Sequence, residues 1–254
     1  YSTQPTFRNR IINGNMTIDQ RNAGASVTIT SSGTYTLDRF VAFSTAASKF
    51  SVQQDAGAIT PPAGFTNYLG VTSLSSYTAG ASDYFTIGHN IEGFNISDLA
   101  WGTADAKTVT LSFWVRSSLT GTFGGALVNS NNSRSYPFTY TISTANTWEQ
   151  ASITITGDTT GTWLTNNGIG IKLRVGLGAG ATYSGTAGSW SGSTYFTATG
   201  GTSVVGTSGA TFYITGVQLE AGTTATDFEN LQYGTQLALC QRYYWKWNSA
   251  SANN

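Results

Sequence analysis

Short stretches in which apolar and polar residues alternate recur along most of the chain, separated by turns rich in Gly, Asn, Ser and Thr. Because successive side chains of a strand point to opposite faces, this alternation predicts half-buried β-strands. The clearest stretch, residues 108–117, has Trp114 on one face and four apolar side chains on the other, namely Val109, Leu111, Phe113 and Val115. Many short strands at this spacing are typical of a β-sandwich or jelly roll.

The pattern changes near the C-terminal end. From Thr235 onward, apolar residues fall at the three- and four-residue spacing of a helix face: Leu237, Cys240, Tyr244 and Trp247. The sequence therefore predicts an all-β jelly-roll sandwich over residues 13–234 with a short C-terminal helix. An N-terminal arm or connector precedes it at residues 1–12, and an aromatic helix and tail follow at residues 235–254.

Residues 210–222 predict the last strand, in which Gly216 interrupts the alternation as a glycine at a β-bulge does. Earlier in the chain, Arg39 lies among apolar neighbours of another predicted strand, where an unpaired charge is costly. We expect Arg39 to form an ion pair with a carboxylate of a neighbouring strand, Glu220 being the first candidate. The alternative places the Asp38 and Arg39 side chains at a solvent edge.

A long loop is predicted at residues 178–209, where Gly and Ser replace the alternating pattern, with a small hairpin within it as the alternative. Loops of this length are uncommon in compact domains and are often functional. Three aromatic residues, Tyr183, Trp190 and Tyr195, lie in this loop without a core periodicity. Sugars present apolar C–H faces that stack on aromatic rings, so these three residues are the candidate glycan-binding platform. Two alternatives stay open: Trp190 folds back onto the sandwich, or it packs against a second subunit.

The composition limits the classes of partner. Charged residues make up only 9% of the chain, and 12 basic residues balance 12 acidic ones. This balance argues against a nucleic-acid partner and against an anionic membrane surface. No apolar run reaches the about 18 residues needed to cross a bilayer, so membrane insertion is not expected. A neutral surface of Ser, Thr, Asn and Gly is typical of extracellular and virion β-proteins.

Little in the sequence predicts an enzyme. The single histidine, His89, is expected in a turn or in the core rather than as a catalytic base, and the single cysteine, Cys240, is expected to be buried among apolar neighbours. One histidine cannot form a multi-histidine metal site. The 12 carboxylates lie mostly in turns, so a glycosidase pair is not apparent. No cofactor is expected, and a calcium site built from backbone carbonyls is left open.

Both ends of the chain carry motifs of a known family. Residues 217–222 (VQLEAG), 225–229 (ATDFE) and 237–244 (LALCQRYY) resemble the end of a carbohydrate-binding-module-like jelly roll found at the C-terminal ends of bacteriophage tail fibres and other virion appendages. Residues 12–21 (INGNMTIDQR) and 35–40 (YTLDRF) resemble its beginning. The motifs are specific at both ends and looser in the middle.

The resemblance implies a non-catalytic module on the virion, outside the cell, that binds a host-surface polysaccharide during adsorption and contacts other virion proteins. Related modules often hold a calcium ion, and such appendages usually assemble as trimers. We therefore expect a homotrimer, with Tyr243, Tyr244 and Trp247 of the C-terminal helix, or the first dozen residues, near the interface. The alternatives are a structural fibre or capsid-decoration protein that binds no glycan, and a glycan depolymerase.

Overall fold

The structure is a computed structural model that describes residues 7–246. Within them, one helix, α1, spans Tyr233–Gln241. Single turns of 3₁₀-helix lie at Ala56–Ala58, Gly93–Asn95, Ser97–Leu99 and Ala181–Tyr183. The strands are β1 (Val27–Thr28), β2 (Thr34–Tyr35), β3 (Phe40–Ser44), β4 (Phe50–Gln54), β5 (Leu69–Ser73), β6 (Tyr84–Glu92), β7 (Val109–Ser117), β8 (Gly121–Asn129), β9 (Ser135–Ile142), β10 (Glu149–Ile155), β11 (Ile169–Ala179), β12 (Ser184–Gly185), β13 (Thr197–Ala198) and β14 (Thr211–Ala221).

Twelve of these strands form two six-stranded sheets. The first sheet has the order β1-β4-β5-β14-β7-β10, and the second has the order β2-β3-β6-β11-β8-β9. Every pair of neighbouring strands within these two sheets is antiparallel. The predicted all-β jelly-roll sandwich with a short C-terminal helix is confirmed.

The core fills the space between the two sheets. The predicted inward set of β7 is buried, and Trp114 on the same strand is only half-buried. Phe113 packs edge-on against Tyr140 of the opposite sheet, with their ring centroids 5.0 Å apart. Aromatic contacts of this kind stabilise the core beyond the area that they bury.

The predicted bulge of β14 is present. Gly216 has a φ of 62°, and the register against β7 shifts between Thr215 and Gln218. A Cβ at Gly216 would lie 2.6 Å from the Phe65 ring, so both the backbone angle and the close contact require glycine here.

The described part of the predicted N-terminal arm packs on the sandwich. The Arg10 amide donates to Leu219 O at 2.9 Å, and the Asn9 side chain accepts from the Leu219 amide at 3.0 Å. Ile11 and Ile12 are buried. Residues 7–12 thus run beside β14 instead of projecting from the domain.

The long loop after β11 covers part of the outer face of the second sheet. Its two short strands, β12 and β13, form a parallel ladder, so the hairpin considered for this loop does not occur. A Cβ at either Gly124 or Gly176 would lie 2.5 Å from Thr197 Oγ1 in β13. Phe196 packs on two outward-facing apolar residues of β8, Ala126 and Val128. The loop therefore buries apolar surface that the strands alone would leave in water.

Helix α1 begins two residues before the predicted start at Thr235 and ends at Gln241. The prediction that Tyr243 and Tyr244 lie on the helix is wrong, because the chain leaves helical geometry before them. Cys240 is buried with Ile12 and Ile18, as expected from the sequence. Trp247 lies outside the described residues.

Candidate functional site

Two adjoining cavities form a groove at one end of the outer face of the second sheet. Their volumes are about 160 and about 170 Å³. Both are lined by Tyr35, Arg39 and Tyr243. The other lining residues are Arg21, Asp38, Cys240 and Tyr244 in one cavity, and Asn90, Glu92, Asn167, Gly168 and Ile169 in the other. We call this surface the sheet groove.

Asn90 of β6 lies at the centre of a polar network beside the sheet groove. Its backbone carbonyl accepts a hydrogen bond from Arg39 Nη2. Its side-chain Oδ1 accepts from Arg174 Nη1 and Nη2 at 3.2 and 3.1 Å. Lys172 of β11 lies directly opposite Asn90 in the strand register. Two guanidinium groups, those of Arg39 and Arg174, therefore bind one asparagine. The Lys172 ammonium donates to Ser130 O at 2.5 Å and to Asn132 Oδ1 at 2.8 Å.

The Arg174 side chain lies over Gly88 of the neighbouring strand β6. A Cβ at Gly88 would lie 2.9 Å from Arg174 Nη1, so a side chain at residue 88 would obstruct the guanidinium. The guanidinium lies over the Phe43 ring, 4.3 Å from its centroid. Burial lowers the pKa of Arg174 to about 10. Burial, followed by the charge of Arg174, also lowers the pKa of Lys172 to about 8.

Arg39 lies in the turn before β3 and has a left-handed backbone φ of 72°. Such an angle costs a residue other than glycine about 1 kcal/mol or more and is often found at functional sites. The guanidinium lies 3.5 Å from the centroid of the Tyr243 ring, and burial lowers the pKa of Arg39.

The predicted Arg39–Glu220 ion pair is wrong. Glu220 accepts hydrogen bonds from Thr226 and Gln218 and lies 3.8 Å from Arg8 Nε. Arg39 directly precedes β3 of the second sheet and Glu220 lies in β14 of the first, so each finds partners on its own side of the sandwich. The alternative, a solvent edge, does not hold either, because Asp38 and Arg39 are both buried.

The segment after the helix closes one side of the groove. Arg242 donates two hydrogen bonds to Glu92, at 3.0 and 2.6 Å, and the Tyr243 hydroxyl donates to the same carboxylate. The hydrogen bonds from Arg242, more than any other contact, lower the pKa of Glu92. Arg21 lies 3.7 Å from the centroid of the Tyr244 ring. Tyr243 and Tyr244 thus contact their own chain at the groove, and their predicted role at an oligomer interface stays a prediction.

Trp190 packs against the body of the sandwich. Its ring meets those of Trp101, Trp163 and Tyr136 edge-on, at centroid distances of 5.3, 5.3 and 5.2 Å. Its Nε1 donates to Thr156 O at 2.8 Å. This is the first of the two alternatives that the sequence left open.

The other two residues of the predicted platform lie in different surroundings. Tyr183 stacks on Phe196 at 5.3 Å and meets Tyr84 at 4.8 Å. The Tyr195 ring covers Gly185, where a Cβ would lie 2.2 Å from it. No ring contact within residues 7–246 joins Tyr183, Trp190 and Tyr195. The prediction of one shared aromatic platform is therefore corrected: these rings pack the loop onto the sheet. Their individual roles in binding glycan stay predictions.

The single histidine and the single cysteine, residue types that often act in catalysis, are both buried here. His89 lies within β6, with Nε2 3.1 Å from Ile12 O, and burial lowers its pKa. Burial raises the pKa of the Cys240 thiol to about 12. Across residues 7–246, no group of three or more His, Cys, Asp and Glu side chains is arranged to hold a metal ion. No helix in that range is long and apolar enough to span a bilayer.

A larger cavity of about 270 Å³ lies between residues 7–12 and the segment 228–239. Most of its polar wall groups bind the backbone. The Glu229 carboxylate accepts from the Phe7 and Asn9 amides, and the Asn9 side chain bonds to Val217 O and to the Ile11 amide. The sheet groove instead combines the exposed Tyr35 ring with the Asn90 and Asn167 side chains and with arginines, and it is the candidate site.

No protein-family model matches the sequence, and no curated protein shows significant similarity to it. Several solved structures are similar in fold. A putative sugar-binding protein from Bacteroides thetaiotaomicron has 10% identity and a TM-score of 0.48, over 84% of this chain and 100% of that one. TmCBM61 in complex with β-1,4-galactotriose has 10% identity and a TM-score of 0.42, over 85% and 99%.

The enzymatically active domain of bacteriophage CBA120 tailspike protein 4 is also similar, with 11% identity and a TM-score of 0.42. The similarity covers 85% of this chain but only 22% of the tailspike chain. Carbohydrate-binding jelly rolls and a phage tailspike thus both occur among the structural neighbours. At these identities the neighbours establish neither a family nor a ligand.

Proposed function

We propose that this chain is a non-catalytic carbohydrate-binding module and that the sheet groove holds its glycan. The observation that carries the proposal is the composition of the groove wall. Tyr35 is 37% exposed there, beside the half-buried Asn90 and the exposed Asn167.

The chemistry of sugars fits this wall. A pyranose ring offers an apolar C–H face for stacking on a tyrosine, and its hydroxyls pair with amide and guanidinium groups. The groove is held in shape by the Asn90 network on one side and by the Glu92–Arg242–Tyr243 contacts on the other. A site organised before binding spends less free energy on ordering side chains when the ligand arrives.

The test is an immobilised glycan array, followed by calorimetry on the glycans that are bound. We expect Tyr35→Ala to weaken binding about fivefold, because a stacking contact contributes on the order of 1 kcal/mol. Tyr233→Ala is the matched control, since Tyr233 is 64% exposed and does not line the groove. If Tyr35→Ala leaves the affinity unchanged, the binding site lies elsewhere on the molecule. If no glycan on the array is bound, the proposal is wrong.

The proposal includes the absence of hydrolysis. Of the two groove carboxylates, Glu92 is held by Arg242 and Tyr243, and Asp38 accepts two hydrogen bonds from Gln20 at 2.5 and 3.0 Å. Both carboxylates are thus engaged by neighbouring side chains, which supports binding without hydrolysis. The same bound glycans are therefore expected to give no new reducing ends after long incubation. Their appearance would favour the depolymerase alternative.

We further propose that the module belongs to an extracellular virion appendage, binds host polysaccharide during adsorption and forms a homotrimer. The resemblance of residues 12–21 and 217–244 to tail-fibre modules supports this setting. Light scattering is expected to give about three times the 26.8 kDa subunit mass. A monomer at high protein concentration would contradict the predicted trimer. A trimer that binds no glycan would favour a purely structural fibre or decoration protein.

A further inference from the structure

The charges around the sheet groove are unbalanced in a chain whose net charge is zero. Among the described residues, four cationic side chains and two carboxylates line it or are hydrogen-bonded to its lining. The cations are Arg21, Arg39, Arg174 and Arg242, and the carboxylates are Asp38 and Glu92. The excess of positive charge is therefore local to this surface.

Neither carboxylate forms a salt bridge with the two buried arginines, although the charges of Glu92 and Arg39 attract each other. Glu92 is engaged by Arg242, and both Asp38 oxygens accept from Gln20. Within residues 7–246, no salt bridge includes Arg39 or Arg174. Each of the two is less than a tenth exposed. Burying a cation without a counter-charge lowers stability, and a bound anion offsets that cost.

Two guanidinium donors are directed into buried space without a partner. Arg39 Nε and Arg21 Nε are both inaccessible to solvent and make no hydrogen bond. Both arginines line the cavity of about 160 Å³. The planar fork of a guanidinium matches the oxygens of a carboxylate or phosphate group, and hydrogen bonds to an ionised acceptor are stronger than neutral ones.

We propose that the sheet groove selects an anionic glycan, in which a carboxylate or phosphate group on the sugar lies between Arg21 and Arg39 while a sugar ring stacks on Tyr35. This inference rests on the proposed function and names its ligand class. Arg174, which is bonded to Asn90, adds positive potential without direct contact.

Matched pairs of glycans provide the test. Each acidic polysaccharide bound on the array is compared with its carboxyl-reduced form, and each phosphoglycan with its dephosphorylated form. We expect the acidic member to bind at least about tenfold more tightly. We also expect its affinity to fall as the salt concentration is raised from about 50 to about 200 mM, because screening weakens attraction between charges. The kind of glycan pair that shows this difference identifies whether a carboxylate or a phosphate group is recognised.

Variants of the cations localise the effect. Arg21→Met is expected to weaken binding of the acidic member about tenfold more than that of the neutral member, which lacks the anionic group that the guanidinium binds. Lys107→Met is the control, since Lys107 is exposed and does not line the groove. A circular dichroism melt of each variant confirms that the sandwich is folded.

The outcomes separate the two proposals. Equal binding of acidic and neutral members overturns the anionic ligand and leaves glycan binding intact. Equal binding of double-stranded DNA and acidic glycan also overturns it, because the groove would then attract any polyanion. If no glycan of either kind is bound, both proposals fail.

Discussion

Replacing Arg134 with methionine is expected to lower the free energy of unfolding by about 3–5 kcal/mol, the cost typical of removing one partner of a buried ion pair. Arg134 Nε and Nη2 each donate to the Asp158 carboxylate at 2.7 Å, and the Asp158 side chain is 2% exposed. Without the guanidinium, the carboxylate keeps only the longer contacts from Thr160, at 3.2 and 3.1 Å. Urea denaturation at neutral pH measures the change.

The destabilisation is expected to shrink as the pH falls. Burial alone raises the pKa of Asp158, but the hydrogen bonds from Arg134 and Thr160 outweigh it and lower that pKa overall. The wild type therefore gains stability from this group above the unfolded pKa and loses it as the pH falls through the folded one. In Arg134→Met, burial is left to raise the folded pKa, so the buried carboxyl is protonated at mildly acidic pH and its penalty disappears.

Arg10→Met is the matched control for this experiment. The Arg10–Asp98 pair has the same 2.7 Å contact, but the Asp98 side chain is 48% exposed. Pairs in such surroundings contribute about 1 kcal/mol or less, because water screens them. Equal losses in the two variants would show that burial does not govern these ion pairs, which would contradict the prediction.

Replacing Trp190 with alanine is expected to cost about 2–3 kcal/mol of stability, somewhat below the about 3–5 kcal/mol typical of a fully buried aromatic residue. The ring is half-buried among Trp101, Trp163 and Tyr136, and its Nε1 hydrogen bond to Thr156 is also lost. Thermal and urea unfolding measure the loss. Affinity for glycan in the sheet groove is expected to stay near the wild-type value.

This variant decides between two roles for the long loop. If Trp190 belongs to a glycan platform, as the sequence predicts, binding falls while stability changes little. If it only packs the loop onto the sandwich, stability falls and binding persists. Phe94→Ala is the control for removing an aromatic ring, because Phe94 is 58% exposed and its loss is expected to cost under about 0.5 kcal/mol.

Several features of the fold follow from local chemistry and were predictable. Alternation of apolar and polar residues predicts the β7 core face, the glycine in residues 210–222 predicts the bulge, and the spacing near residue 240 predicts a helix with a buried Cys240. Each depends on a chain period or a backbone angle, which a short stretch of sequence carries by itself.

The candidate site depends on contacts between distant segments. Arg39, Asn90, Arg174 and Tyr243 lie close together only because β3, β6 and β11 are neighbours and because the segment after α1 returns to this edge. The sequence did contain a signal, an arginine among apolar neighbours at Arg39. The sequence could not identify the partners, because the Arg39 guanidinium donates to a backbone carbonyl and lies on an aromatic ring instead of forming a salt bridge with a carboxylate.

By itself, the sequence determined that this protein is a β-sandwich that is poor in charged residues and rich in aromatic ones. Only the tertiary structure decided which aromatic rings remain available to a ligand. The alternation of apolar and polar residues predicts which face of a strand is buried in the core, but it does not predict what covers the outer face. Here the loop containing Phe196 and Thr197 packs on the small outward residues of β8 and β11, and the rings of Tyr183, Trp190 and Tyr195 are half-buried, whereas Tyr35 is exposed in the sheet groove.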